Sequence, residues 1–306
     1  MNFLEIIATD LDLDTDYVKS VIAKSQSSYR IFCVPKRTGG TRTIYQPSAE
    51  LKTLQYWLVY NVFSKFPVSA SACAYCHGRS ILDAARKHLT NNYILHMDIK
   101  NFFESITARQ LHNLLENAPA TTDIHTFDLK SADAIKYIQH ICLYKNHLTI
   151  GAVSSPILSN IIFYEIDLQI EKYCADNNYI YTRYADDIYI SSKHFLSKDV
   201  CKYIATILDH SGFKVNTKKT RFMSRNHRQI ITGLTLTTDR RLSIGKRRKR
   251  ALKKELYIAL KALPTIDEKE RLRIKGYLSF LKSVDYVYCN NLINKYAKVG
   301  DIKQLL

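Results

Sequence analysis

The apolar positions of this chain fall into short blocks whose period switches repeatedly between that of a helix and that of a strand. DYVKSVIAKS repeats its apolar residues at helical spacing behind Asp14 or Thr15, either of which can cap it, and predicts a short helix ending before Tyr29. YRIFCVPKR and TRTIYQP read instead as a strand pair around Thr38-Gly39-Gly40. Leu51, Leu54, Leu58 and Val62 form one stripe and predict a helix from Ala49 to Phe66. A helix from Ser80 to His88 leads into an apolar strand, NYILHMDI, and residues 107–145 read as mostly helical with an interruption near Pro119. Ser155 to Cys174 reads as one long helix with Ile157, Ile161, Tyr164 and Leu168 on its apolar side. YIYTRY, ADD and IYISS make a hairpin, followed by a helix from Ser197 to Ser211. Two short strands (KVNTKKTRFM and QIITGLTL) and a mainly helical tail from Gly245 complete the pattern. Such irregular alternation points to an α+β fold, not a barrel or a doubly wound sheet.

Composition narrows the class. With 306 residues the chain can bury a core without disulfides or metals, and 46% apolar with 24% charged residues excludes a disordered chain. The 45 Lys and Arg against 28 Asp and Glu leave +17, which predicts a polyanionic partner, nucleic acid or an acidic membrane face. That charge is uneven: residues 1–28 carry −3 and residues 241–306 carry +11. Lys246, Arg247, Arg248, Lys249, Arg250, Lys253 and Lys254 put seven bases into nine residues. In isolation such a run is a solvated face or a localisation signal. On a helix it covers most of the circumference, and its self-repulsion favours a polyanion laid against it. Tyr257, Tyr277, Tyr286 and Tyr288 interleave with the bases and can pack in a core or stack on unpaired bases. No run of about 18 apolar residues occurs, and the N-terminus is acidic where a signal peptide is basic. Seven irregularly spaced cysteines suit reduced thiols, so a cytoplasmic protein with no membrane partner is expected.

The sharpest chemical feature is Tyr184-Ala185-Asp186-Asp187 between two β-prone runs. Adjacent acids at a hairpin tip repel, and a hard divalent cation such as Mg²⁺ relieves the repulsion. Asp is also common in turns on its own account, so this tetrapeptide alone decides nothing. Asp98, closing the apolar strand Tyr93–Met97, changes the picture. Alone it reads as a cap, but facing the Asp-Asp tip it completes a three-carboxylate, two-metal site for in-line phosphoryl transfer. Phe103, five residues further on, can then sit beneath the sugar of an incoming nucleotide and exclude a 2′-hydroxyl.

Four segments together resemble reverse transcriptases: HMDIKNFF, Gly151-Ala152-Val153-Ser154-Ser155-Pro156, the YADD box, and Gly212, Asn216, Lys219 and Thr220 in order. Among these, the chain is most similar to the bacterial retron enzymes. The similarity runs from YRIFCVPKRTGGTRTIYQPS through Arg79-Ser80-Ile81-Leu82, YTRYADD and Ile231-Thr232-Gly233-Leu234 to KGYLSFLKSVD. It departs where the retron pattern has Asn (here Ala84, although His88 remains) and where Gln precedes the motif glycine (here Ile150).

The resemblance implies a right-hand polymerase, with fingers and palm interleaved over about 1–240 (the palm from Asp98) and a basic thumb over about 241–306. It implies two Mg²⁺ ions, or Mn²⁺, held by Asp98, Asp186 and Asp187 with Ile99 in the metal set. Gly151 then lies at the nucleotide site. It further implies dNTP substrates and a structured non-coding RNA partly copied into single-stranded DNA from an RNA 2′-hydroxyl. An effector protein acting in antiphage defence is the implied partner. A group II intron-like or diversity-generating enzyme, or a non-catalytic RNA scaffold, remains the alternative.

Lys36, Arg37 and Arg42 flank the Gly39-Gly40 turn, where they can meet a triphosphate or merely discourage strand pairing at an exposed edge. Lys219, or its neighbour Lys218, can act as general acid toward pyrophosphate. Two other patterns carry nothing. Cys73-Ala74-Tyr75-Cys76-His77 imitates a haem attachment site without the exported context and lacks a second pair for zinc. Asp10, Asp12, Asp14 and Asp16 imitate a calcium loop but have Thr15 and Val21 where Gly and Glu are required.

Overall fold

The computed structural model describes residues 2–36, 39–118, 127–263 and 265–305; Arg37, Thr38 and Pro119 lie outside them. Two short helices open the chain, α1 (Phe3–Leu11) and α2 (Thr15–Ala23), the latter capped by Asp14. The sequence pattern does not announce α1, whose nine residues run straight into the acidic stretch. A reciprocal capping box between Asn2 and Glu5 starts it, and Phe3, Leu4, Ile6 and Ile7 bury its inner side. Strands β1 (Tyr29–Pro35) and β2 (Thr41–Pro47) form an antiparallel hairpin of their own. Helix α3 (Ala49–Asn61) buries Leu51, Leu54 and Leu58 as expected, but stops at Asn61, where a 3₁₀ turn carries the chain on toward Phe66.

Next come α4 (Ile81–Lys87), β3 (Tyr93–Asp98), α5 (Ala108–Glu116) and α6 (Ala132–Cys142). The single helix expected over Ser155 to Cys174 is two, α7 (Ser155–Ile162) and α8 (Tyr164–Asp176). The chain turns at Phe163, whose fully buried ring packs edge-on against Phe102 and Phe213. The turn moves the buried stripe of α8 to Ile166, Asp167, Ile170 and Cys174, so Leu168, expected on the apolar side, faces solvent. Strands β4 (Ile180–Tyr184) and β5 (Asp187–Ser192) form the predicted hairpin, and α9 (Lys198–His210) follows. Only the end of KVNTKKTRFM is extended, as β6 (Arg221–Ser224). QIITGLTL is not one strand but a hairpin, β7 (Gln229–Ile231) and β8 (Leu234–Leu236), because Thr232 and Gly233 both take positive φ; β9 (Leu242–Ser243) pairs alongside. Helices α10 (Lys246–Lys261), α11 (Glu268–Val284) and α12 (Tyr286–Tyr296) close the chain.

The central sheet has the order β4-β5-β3-β6, entirely antiparallel. Its inner strands are covered on both faces, which is why they read as continuous apolar runs. Leu95, Met97, Ile188 and Ile190 join the large helical core, while Ile94 and Tyr189 point the other way, against α4 and the β7–β9 sheet. In the C-terminal helices Leu252, Leu256, Ile274, Leu278, Leu281 and Leu292 pack a separate core.

Candidate active site

Antiparallel pairing sets Asp98, the last residue of β3, directly opposite Asp187, the first of β5. Ala185 and Asp186 form the two-residue turn between β4 and β5, with Ala185 in the left-handed region at φ +54°. The Ile99 amide donates to the Asp186 carbonyl at 2.9 Å, and the Asn216 amide donates to the Asp98 carbonyl at 2.7 Å. All three acids therefore meet at one end of the sheet. Burial, then Asp187 and Asp98, push the Asp186 carboxyl up to about 6. Lys219 Nζ lies 2.7 Å from Asp98 Oδ2, and that hydrogen bond raises the lysine pKa. His96 Nε2 lies 2.6 Å from Asp187 Oδ1, its ring stacked on Tyr189 at 4.7 Å.

Among the described residues no three acidic, His or Cys side chains already converge as a metal cage. Asp98 is engaged by Lys219 and Asp187 by His96. The donor set nonetheless suits a hard cation: three carboxylates, Asp98 almost wholly buried and Asp186 with its pKa raised by burial first and then by Asp187.

Beneath the turn lies a charge network that the sequence pattern hides. Arg183, fully buried, makes a two-pronged ion pair with the equally buried Asp167 (Nε–Oδ1 2.9 Å, Nη2–Oδ2 2.6 Å). Its remaining Nη1 donates to Asn160 Oδ1 and to the Ala185 carbonyl, both at 3.2 Å, and its plane rests 4.4 Å from the Phe163 ring centroid. Tyr181 donates its hydroxyl to Asp167 at 2.6 Å. Arg183 thus braces the backbone of the left-handed residue that presents Asp186. A charge in the middle of each of two apolar stripes, Asp167 on α8 and Arg183 on β4, is the sequence signal for this pair.

Above the acids opens a cavity of about 460 Å³. Lys36 and Arg42 from the hairpin, Phe103, Asp98, Ile99, Asp186 and Lys219 all line it, as do Tyr75 and Ile150. Lys218 does not, which separates it from Lys219. Gly151 stands just outside the lining and serves a close approach. At φ +114° it brings β2 so near that a Cβ there would lie 2.6 Å from the Tyr45 carbonyl oxygen. The Tyr45 amide donates to the Ile150 carbonyl at 2.8 Å, and buried Gln55 accepts from the Val153 amide at 3.0 Å, seating the hairpin and the 150–153 loop together.

The seven bases of α10 divide. Lys249 pairs with Asp285 at 2.9 Å and sits over the Tyr288 ring, while Arg248 donates to the Gly233 carbonyl. Lys246, Arg247, Arg250, Lys253 and Lys254 are exposed. Tyr257 and Tyr286 are exposed as well, whereas Tyr277 and Tyr288 pack on the C-terminal core. Cys73 and Cys76 are free thiols, Asp10 accepts from Trp57 Nε1 and Asp14 caps α2. Among the described residues no helix is long and apolar enough to cross a membrane.

Comparison with known proteins assigns the chain to a family. Residues 34–254 match the family described as reverse transcriptase (RNA-dependent DNA polymerase), so the chain belongs to that family and is an RNA-directed DNA polymerase with the right-hand fold. Its relatives narrow the kind to retron enzymes. The retron Ec86 reverse transcriptase of Escherichia coli is 30% identical over 310 residues, covering 97% of this chain and 92% of the relative. The retron Ec83 reverse transcriptase of the same species is 29% identical, covering 94% and 95%. A solved telomerase from Candida albicans aligns more loosely, with a TM-score of 0.47 and 14% identity over 95% of this chain and 59% of that one.

Proposed function

We propose that this enzyme copies part of a structured partner RNA into single-stranded DNA, primed from a 2′-hydroxyl of that RNA, with Asp98, Asp186 and Asp187 holding two Mg²⁺ ions. The observation that carries the site is the register of Asp98 opposite Asp187, beside Asp186, under a cavity lined by cationic hairpin residues. Divalent ions bound there would lower the pKa of the attacking hydroxyl and neutralise the leaving pyrophosphate.

The chain's own groups divide the rest. Lys36 and Arg42 pair with triphosphate oxygens, and Phe103 packs under the sugar. Lys219, hydrogen-bonded to Asp98, would donate a proton to the leaving pyrophosphate as general acid. Ile99, with no side-chain ligand atom, would offer its carbonyl oxygen, and Mn²⁺ would serve in place of Mg²⁺. Residues 1–97 act as fingers and 98–240 as palm with interleaved finger segments. Residues 241–306 act as a thumb, its five exposed bases on α10 following the RNA backbone. Multicopy single-stranded DNA as product, an effector protein as partner, a role against phage and a cytoplasmic location rest on the likeness to retron relatives.

Expressing the chain with its neighbouring non-coding RNA tests this reading. RNA-linked single-stranded DNA is expected from wild type and none from Asp186→Asn. DNA without a branched linkage would remove the priming step and leave the polymerase. If wild type made no DNA and matched Asp186→Asn in every assay, the protein would be an RNA-holding scaffold.

A further inference from the structure

The segment Cys73-Ala74-Tyr75-Cys76-His77, which neither haem nor zinc chemistry explains, supplies one wall residue of the cleft, Tyr75. Tyr75 stands at φ +59°, a left-handed conformation that bulky L-residues rarely adopt. Such conformations persist only where the surroundings impose them, and they gather at functional sites. Here both are true. The Cys73 amide donates to the Arg183 carbonyl at 2.8 Å, Asn160 Nδ2 donates to the Ala74 carbonyl at 2.8 Å, and Arg79 donates to the Ala72 carbonyl at 2.7 Å. Two of these anchors, Arg183 and Asn160, belong to the network that braces the Asp186 turn.

The imposed backbone does not serve burial. Cys73 and Ala74 are buried, but Tyr75 is 49% exposed and faces the cleft. Its ring centroid lies 6.2 Å from that of Phe103 at a tilt of 48°, and Phe103 meets Phe102 at 5.5 Å. Phe103 therefore has two aromatic neighbours, Phe102 and Tyr75.

We propose that Tyr75 is a second residue determining sugar specificity: its ring backs Phe103 and fixes how closely that side chain approaches the 2′ carbon of the incoming nucleotide. An apolar wall rejects one added hydroxyl weakly unless it cannot yield. A lone Phe103 can swing to another rotamer, while a Phe103 backed by a ring on a pinned backbone cannot. The inference rests on the proposed role of Phe103 beneath the sugar.

The full chain, extending a DNA primer on an RNA template, is assayed for kcat/KM with a dNTP and with the matching ribonucleotide. Tyr75→Gly suits the left-handed backbone while deleting the ring, and should narrow the dNTP preference about tenfold. Tyr75→Phe should keep the wild-type ratio. A ratio is unmoved by loss of folded protein, so a purely structural role would not change it. Tyr75→Gly with a wild-type ratio overturns the inference. If Tyr75→Gly is inactive on both nucleotides, Tyr75→Leu is read by the same ratio. Phe103→Ala separates the premise. If it narrows the ratio while the Tyr75 variants do not, the inference falls and the Phe103 role stands; if neither narrows it, both fall.

Discussion

The sheet end that carries the carboxylates and the helix that carries the basic run treat charge in opposite ways. The sheet end takes charge out of water: Arg183 and Asp167 are fully buried, Asp98 nearly so, and each has a partner at hydrogen-bond distance. Helix α10 buries only its apolar stripe, Leu252, Leu256, Ala259 and Leu260, and leaves most of its bases to solvent. Buried charge depends on particular partners, because an unmatched ion inside is far costlier than a matched one. Exposed charge depends on density, because counterion release counts neutralised phosphates, whichever side chains neutralise them. Residues should therefore matter singly in the first region and collectively in the second.

The largest contrast is expected at Asp186. Asp186→Asn should reduce DNA synthesis by about a thousandfold or more, yet raise the melting temperature of the metal-free protein. The sign follows from a carboxyl pKa raised from 3.8 to about 6. Between those values the native state binds the proton that the unfolded chain has lost, so stability falls as pH rises. At pH 7 the ionised group costs on the order of 2–3 kcal/mol. Primer extension and metal-free calorimetry at pH 7 measure the two halves, and a lowered melting temperature would break the contrast. Next is the buried pair. Arg183→Met should cost about 3–5 kcal/mol in urea unfolding, and adding Asp167→Leu should restore most of it. Failure of the double variant to recover would mean that the hydrogen bonds to Asn160 and Ala185 dominate.

On α10, replacing Lys246, Arg247, Arg250, Lys253 and Lys254 together by Gln should change stability by less than about 0.5 kcal/mol. The slope of log K against log salt for RNA binding should flatten by about 3 to 4. Lys249→Gln alone should do the reverse, lowering stability by about 1 kcal/mol through Asp285 and Tyr288 with little change in slope. An effect confined to acid pH concerns His88, fully buried between Ser191 and Thr182, whose pKa burial pushes down from 6.5 to about 3. It stays neutral when folded and is protonated when unfolded. Its contribution is thus complete above pH 6.5 and declines toward pH 3, by about 2 kcal/mol at pH 5. His88→Gln should flatten that part of the pH–stability curve.

Much of this is legible in the sequence. The apolar runs around Met97 and Ile188 announce buried central strands, and the acids at their ends announce a site, because strand period and like-charge repulsion are local properties. The break at Phe163 was not legible, since two helices joined by one buried residue keep a helical rhythm through the join. The Arg183–Asp167 pair was also hidden, because pairing between residues on different elements leaves no spacing to count. Tyr75 was overlooked for a third reason: its cysteine neighbours suggest a different chemistry, and backbone handedness is not written in side-chain types.

Gly151 has a consequence for how such an enzyme can change over generations. The absence of a Cβ, which would lie 2.6 Å from the Tyr45 carbonyl oxygen, lets the hairpin sit this close to the 150–153 loop. A saturation library at this position should return glycine alone among active clones, whereas Gly276, with ordinary φ and open space around it, should accept many residues. Selection can repaint the side chains of the hairpin freely, but the joint on which it is mounted has no neighbouring solution to drift toward.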